Sequence, residues 1–345
     1  MNIQTKVILP AEWSFQDAIL LCWPHISMDW RPILNEVEPE FDQIAFHICQ
    51  HQCLIIIAQN DQHRTDILKR LDLINAKIDN IIWLIQKNND SWCRDFAPIC
   101  IQKGNEVLAL NFEFNGWGNK YPSYLDNLTS QQLKQQDILK CKLSTIPFVL
   151  EGGSIESDGL GTILTTKECL LSRQRNPSFT QSDIEQLLFD QLGSDRIIWL
   201  EHGYLAGDDT DSHIDNLARF CNPTTIAYAS CENDDEHYSA LNKMEHELKQ
   251  LKTKDGKPYQ LVPLAIPSPI YDKEERLPAS YVNFLITNKL VLVPIFNDKQ
   301  DAINIAKLQD IFTERTVIGI ESRNIIKQSG SVHCLTMQLA EHTLF

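Results

Sequence analysis

The 345-residue sequence has no apolar stretch long enough to cross a bilayer. Its longest strongly apolar runs, such as Leu290 to Phe296, fall far short of the roughly 20 residues a membrane helix requires. The opening residues, MNIQTKVILPAEW, lack the uninterrupted apolar core of a secretory signal. No two of the ten cysteines have CxxC spacing, and the ligand spacing of a structural zinc site is absent. The closest pair, Cys49 and Cys53, lies on a stretch that reads as helical. A chain of this length buries its own core without disulfide staples, so a reduced, cytoplasmic protein is expected. Positive charge is in deficit: 31 Lys and Arg face 46 Asp and Glu, for a formal net charge of −15. A surface this acidic repels phosphate backbones and anionic lipid, which argues against nucleic acid or membrane as partner and for a small cation. No Pro/Gly/Ser-rich linker divides the chain, and residues 1–345 read as one domain.

What the chain does contain is a loose repeat. A polar or reactive residue opens a short apolar strand, a turn follows, and a second apolar strand ends in a polar stop. The unit reads RDFAPICIQKGNEVLALNF from Arg94 and EGGSIESDGLGTILTTKECLL from Glu151. It reads HIDNLARFCNPTTIAYAS from His213 and YVNFLITNKLVLVPIFND from Tyr281. Turn residues fall where hairpins need them, at Lys103-Gly104-Asn105, Asp158-Gly159, Asn222-Pro223 and Asn288-Lys289. Helical periodicity fills the intervals over 182–192, 234–251 and 299–312. A last unit, GSVHCLTMQL from Gly330, has one strand only, and DAILLCWPH from Asp17 supplies the missing partner. The pattern predicts an α/β fold of five strand–strand–helix modules closed into a ring, with the termini meeting in the last module. Radial repetition would bring the opening residues together around a central channel, as in propellers.

That convergence would gather Cys334, His213, Asp95, Glu151 and Asp215. A metal site is conceivable from the donor types, but three carboxylates beside one Cys and one His do not make a usual zinc set. A covalent reading fits better: a thiolate nucleophile, a histidine acid and base, and a carboxylate that orients the histidine. In a strand, His213 and Asp215 at i and i+2 would face one space. Two carboxylates then remain, and side by side they call for a cation between them. A planar guanidinium, clamped by bidentate hydrogen bonds, has the required shape.

The motifs NDSWCRDFAPI (89–99), EGGSIESDG (151–159), GDDTDSHIDNLARF (207–220), LPASYVNFLI (277–286) and GSVHC (330–334) resemble, in order, those of the agmatine deiminases. These are guanidino-group-modifying enzymes of the pentein superfamily, and the resemblance runs from PAEWSFQDAILLCWPH to HCLTMQ. It implies the five-bladed α/β-propeller with ββαβ-type modules around an active-site channel. It further implies Cys334 as nucleophile, His213 as acid and base, Glu151 as its partner, and Asp95 and Asp215 as the guanidinium clamp. The implied reaction converts agmatine and water to N-carbamoylputrescine and ammonia, on the way to putrescine, with no metal and no organic cofactor. Ala97 and Ser331 depart from the family pattern without removing a catalytic side chain.

Trp92 and Trp117 are candidates for the apolar wall along the aliphatic chain of agmatine, since a guanidinium stacks well on indole. Asp90 reads either as a turn cap or as a substrate contact. The distal ammonium needs an anion, and Asp209 or Asp211 is expected to supply it. The loop 115–122, rich in Gly and aromatics, is a candidate lid. A homodimer is compatible with all of this. The rival readings are a deiminase of free or peptidyl arginine, with Arg94 or Arg219 meeting the α-carboxylate, a non-catalytic guanidine or polyamine binder, and a zinc hydrolase.

Overall fold

The computed structural model describes residues 6–344 and is mixed α/β. Among the described residues, five sheets of three or four strands repeat one pattern, and a small two-stranded hairpin lies apart. In each sheet an antiparallel pair is followed by a third strand parallel to the second. Ile99–Lys103 pairs antiparallel with Glu106–Glu113, which runs parallel to Lys142–Val149. Ile155–Ser157, Thr162–Thr166 and Arg196–Leu200 repeat the arrangement. So do Ala218–Asn222, Thr225–Ser230 and Gln260–Ala265, and Leu285–Ile286, Leu290–Ile295 and Thr316–Glu321. A parallel step needs a crossover, and a helix supplies one each time: Thr129–Gln135, Gln181–Leu192, Tyr238–Gln250 and Gln300–Ile311.

The fifth sheet joins the two ends of the chain. Thr336–Ala340 pairs antiparallel with Gln16–Cys22, which leads through the helix Leu34–His51 to the parallel strands Cys53–Ala58 and Ile81–Ile85. The inner strands are covered on both faces, so Leu54 to Ile57 and Ile19 to Cys22 are all buried and read as continuous apolar runs. Among the described residues, no helix is long and apolar enough to cross a membrane.

Two local expectations are corrected. Cys49 does lie in the helix Leu34–His51, but Gln52 turns extended and Cys53 opens a buried β-branched strand. All ten cysteines are free thiols. The helix predicted from Asp234 begins only at Tyr238, because Asp235 spends its carboxylate on the His237 N–H and on Arg276 in a preceding turn.

The reactive residues do not open the strands themselves. They sit in the turns just before them. Asp95 precedes Ile99, Glu151 precedes a 3₁₀ turn at Gly152–Ser154, and His213 and Asp215 flank or occupy the 3₁₀ turn Ile214–Asn216. Asn283 and Cys334 each stand two residues before their strand. A turn can aim a side chain along the strand axis, which a pleated strand cannot.

Candidate active site

The Glu151-Gly152-Gly153 turn explains how the site is assembled. A Cβ on Gly152 would strike the Arg94 carbonyl, and one on Gly153 would stand 2.6 Å from His213 Nδ1. The same point lies 3.0 Å from Asp215 Oδ2 and 3.0 Å from Asp95 Oδ1. Three groups from the turns before two sheets therefore meet over the backbone of a third, at a residue that has no side chain. Gly153 N–H donates to Asp95 Oδ1 at 2.9 Å, and the Trp117 indole donates to Asp95 Oδ2 at 2.9 Å.

His213 and Asp215 do not share a strand face as predicted. The 3₁₀ turn sends them to different partners, and they still converge beside Gly153. His213 Nε2 lies 3.2 Å from Glu151 Oε2, and its Nδ1 lies 3.8 Å from Asp95 Oδ1 without a hydrogen bond. Asp215 Oδ2 lies 2.7 Å from His333 Nδ1 and accepts the Cys334 thiol at 3.5 Å, while Oδ1 is buried and unpaired. Asn283 donates its amide to Cys334 Sγ at 3.1 Å.

Burial pushes the Cys334 thiol well above its ordinary range, and the charges of Asp215 and Asp95 push it further. Burial also lifts Asp95 to about 6, with His213 opposing and Glu151 and Asp215 adding. Burial works against the charged form of His213, yet Asp95, Cys169 and Glu151 hold its pKa well above the usual imidazole value. Glu151 is held low against burial by His213 and Arg175, whose Nε donates to both of its carboxylate oxygens at 2.7 and 3.0 Å.

Of these groups Asp95 and Cys334 reach the floor of a cavity of about 200 Å³, lined also by Asp29, Asp90, Trp92, Trp117, Tyr121, Asp209, Thr210 and the segment 327–330; His213, Glu151 and Asp215 lie buried behind them. Trp92 packs on Trp30 with ring centroids 5.6 Å apart, and Gly330 lets the backbone lie against its ring. Trp117 reaches the cavity from a segment in which residues 116–119 all have positive φ, closed by Asn115 capping Gly118 N–H at 2.9 Å. Asp90 is lifted to about 7 by burial and by the charge of Asp29.

Of the two acids expected for a distal amine, Asp209 lines the cavity and accepts the Tyr121 hydroxyl at 2.6 Å. Asp211 does not line it. Its carboxylate is taken by Arg175 at 2.5 Å and Lys120 at 3.0 Å. Asp208 is turned inward, where it accepts the Thr210 hydroxyl and the Ser212 N–H. Arg94 and Arg219 are also spoken for: both are buried against Glu12 and neither lines the cavity. Among the described residues, Lys327, paired with Glu36 at 3.1 Å, is the one cationic side chain on its wall.

Two groupings among the described residues have metal-donor chemistry, Glu151 with Cys169 and His213, and Glu12 with Glu156 and His333. In each a guanidinium already occupies the carboxylates, from Arg175 and from Arg219 respectively. Asn283, Arg175, Cys169, His333, Glu12, Asp29 and Tyr121 were not among the residues picked from the motifs. Only Asn283 left a trace, as the one amide in the place where other units carry an acid, His or Cys.

Comparison with known proteins places the whole chain. The profile of the Porphyromonas-type peptidyl-arginine deiminases matches residues 8–340. The agmatine deiminase of Pseudomonas syringae pv. tomato is 34% identical, covering 96% of this chain and 94% of that one. The structure of a cysteine-to-serine agmatine deiminase from C. jejuni, with substrate bound, is 36% identical at a TM-score of 0.91 and covers 98% of this chain and 97% of its own. A crystal structure named provisionally as a peptidyl-arginine deiminase is 44% identical at a TM-score of 0.92, covering 99% of this chain and all of that one. With its motifs in order and its length spanned almost end to end, the chain belongs to the Porphyromonas-type peptidyl-arginine deiminase family, and agmatine deiminases are among its relatives.

Proposed function

We propose that the protein is an agmatine deiminase, built as a single five-bladed pentein propeller whose five entrance turns face one channel. The observation that carries the reading is a pair of buried, unpaired polar atoms behind the Asp95 and Cys334 floor of the cavity: Asp215 Oδ1, on the carboxylate that meets the Cys334 thiol, and His213 Nδ1, 3.8 Å from Asp95. Unsatisfied polar groups are costly in a buried site and mark where a ligand supplies the missing partner. The propeller reading is supported by five sheets of one pattern and by the pairing of Thr336–Ala340 with Gln16–Cys22.

Asp95 and Asp215 take the guanidinium, which neutralises the two charges that disfavour ionisation of Cys334. The Cys334 thiol releases its proton to solvent, the thiolate attacks the guanidinium carbon to form a C–S bond, and His213, charged at the start, protonates the nitrogen whose C–N bond breaks as ammonia leaves. His213 then removes a proton from water. The resulting hydroxide adds to the amidino carbon, the C–S bond breaks, the O–H proton of the adduct goes to solvent, and N-carbamoylputrescine leaves with the thiolate restored. Glu151, fixed by Arg175, keeps the imidazole oriented in both steps. Trp92 and Trp117 flank the methylene chain, and Asp90 with Asp29 and Asp209 offers negative charge to the distal ammonium.

The arginine reading would need a cation for the α-carboxylate. Arg94 and Arg219 are occupied elsewhere, which leaves only Lys327 on the wall. The test is ammonia release from agmatine, free arginine and a peptidyl-arginine substrate under matched conditions. Agmatine is expected to give the highest kcat/KM. A preference for arginine sinks the assignment, and binding of agmatine without ammonia release makes the protein a binder.

A further inference from the structure

Behind the guanidinium clamp lies a buried set of charged groups that the proposed reaction leaves unused. His333 stands between two carboxylates: its Nδ1 is 2.7 Å from Asp215 Oδ2 and its Nε2 is 2.7 Å from Glu12 Oε2. Glu12 is itself immobilised. It accepts the Ile286 N–H at 2.6 Å and the Arg219 guanidinium at 2.8 Å, with Arg94 at 3.7 Å. Arg219 in turn stacks over Phe284, 4.8 Å from the ring centroid, and pairs with Glu156. The backbone of His333 is pinned as well, donating to Asn283 Oδ1 at 3.0 Å.

A neutral imidazole has one donor and one acceptor. Here both nitrogens face carboxylate oxygens at hydrogen-bond distance, and the ring acts as a rigid strut between Glu12 and Asp215. The groups facing it are Glu12, Asp215, Arg94 and Arg219, and no solvent reaches it: His333 is 1% exposed. The consequence falls on Asp215. With Oδ2 engaged by His333, the unpaired Oδ1 is the oxygen left for a ligand.

We propose that His333 is a positioning residue of the substrate clamp: anchored on Glu12 through Nε2, it pins Asp215 Oδ2 through Nδ1 and so presents Oδ1 to the guanidinium. This rests on the reading of Asp215 as a guanidinium ligand. A clamp oxygen free to swing toward the Cys334 thiol would bind substrate less well, because the orientation would have to be fixed at the moment of binding.

Two near-isosteric replacements separate the contacts. His333→Asn keeps a donor at the Nδ1 position and cannot reach Glu12. His333→Gln reaches Glu12 and leaves Asp215 unpinned. Steady-state kinetics on agmatine are expected to show KM raised ~10-fold or more in His333→Gln, about 1.4 kcal/mol, with a smaller fall in kcat. His333→Asn, which keeps the pin but loses the anchor, is expected to recover part of that KM loss. Equal KM effects in both variants, or a loss confined to kcat, overturns the proposal. Should either variant fail to fold, Glu12→Ala removes the anchor and leaves His333 in place: a raised KM supports the proposal and an unchanged one overturns it. The wild-type protein in the same assay reports on the function itself. If it releases no ammonia, titration of agmatine into the His333 variants by calorimetry still decides the role of His333.

Discussion

Cys334 lies under two carboxylates and one amide, an environment that keeps a thiol protonated until positive charge arrives. Since the thiolate is the reactive form, alkylation of Cys334 by iodoacetamide in the free protein is expected to be slow at neutral pH and to rise ~10-fold per pH unit to beyond pH 9. Peptide mass spectrometry reads this at Cys334 alone, and a plateau below pH 8 would contradict it. Asp95 and Asp90, lifted by burial to about 6 and about 7, make a second prediction. Their pKa values lie above the unfolded value of about 3.9, so the folded chain holds more protons than the unfolded one between roughly pH 4 and 7. Stability from these two groups is fully present below pH 4 and declines as pH rises to 7. A dication prefers the ionised forms, so the rise in Tm that agmatine gives to a Cys334→Ala protein is expected to be larger at pH 8 than at pH 5. Equal shifts at the two pH values would count against the assignment. The acids, the histidine and the cysteine of the site were legible because each stands in a distinctive local string. Arg175 and the Glu12–His333 strut were not, because their partners lie far along the chain and nothing local distinguishes a buried ion pair from an exposed one. The position of Asp211 outside the cavity was hidden for the same reason: a run of acids says nothing about which of them meets Arg175.

The hairpins were the readable elements. Antiparallel pairs close locally, and their turn residues and apolar alternation are visible in one short window. The turns that carry the chemistry were less so. His213 and Asp215 read as a strand pair and lie instead at a 3₁₀ turn, whose backbone aims them at separate partners that meet over Gly153. That turn can be tested directly. A methyl group at position 153 would sit against His213, Asp215 and Asp95, and overpacking of this kind costs about 1–3 kcal/mol. Gly153→Ala is expected to fold with lowered Tm and to lose at least ~100-fold in kcat/KM, since displacement of the acid/base and clamp groups acts on positioning. Retention of near-wild-type kcat/KM would show that the three groups do not meet there.

At the scale of the molecule, the repeat explains how residues from five distant turns form one site, and the joining of both chain ends in one sheet is the feature most clearly anticipated by the sequence. The formal charge of −15 has a role at this scale too. An acidic surface attracts a dication, so kcat/KM for agmatine is expected to fall several-fold between roughly 10 and 200 mM salt while kcat stays constant. A salt-independent kcat/KM would confine the role of charge to the cavity. The claim on which the rest depends is that these turns deliver Cys334 to the guanidinium carbon. Rapid acid quench of the protein during agmatine turnover, followed by digestion and mass spectrometry, tests it most directly. The account predicts that the peptide containing Cys334, and no other cysteine peptide, gains the mass of agmatine less ammonia. Turnover with no adduct on that peptide, or with an adduct on another residue, would contradict it.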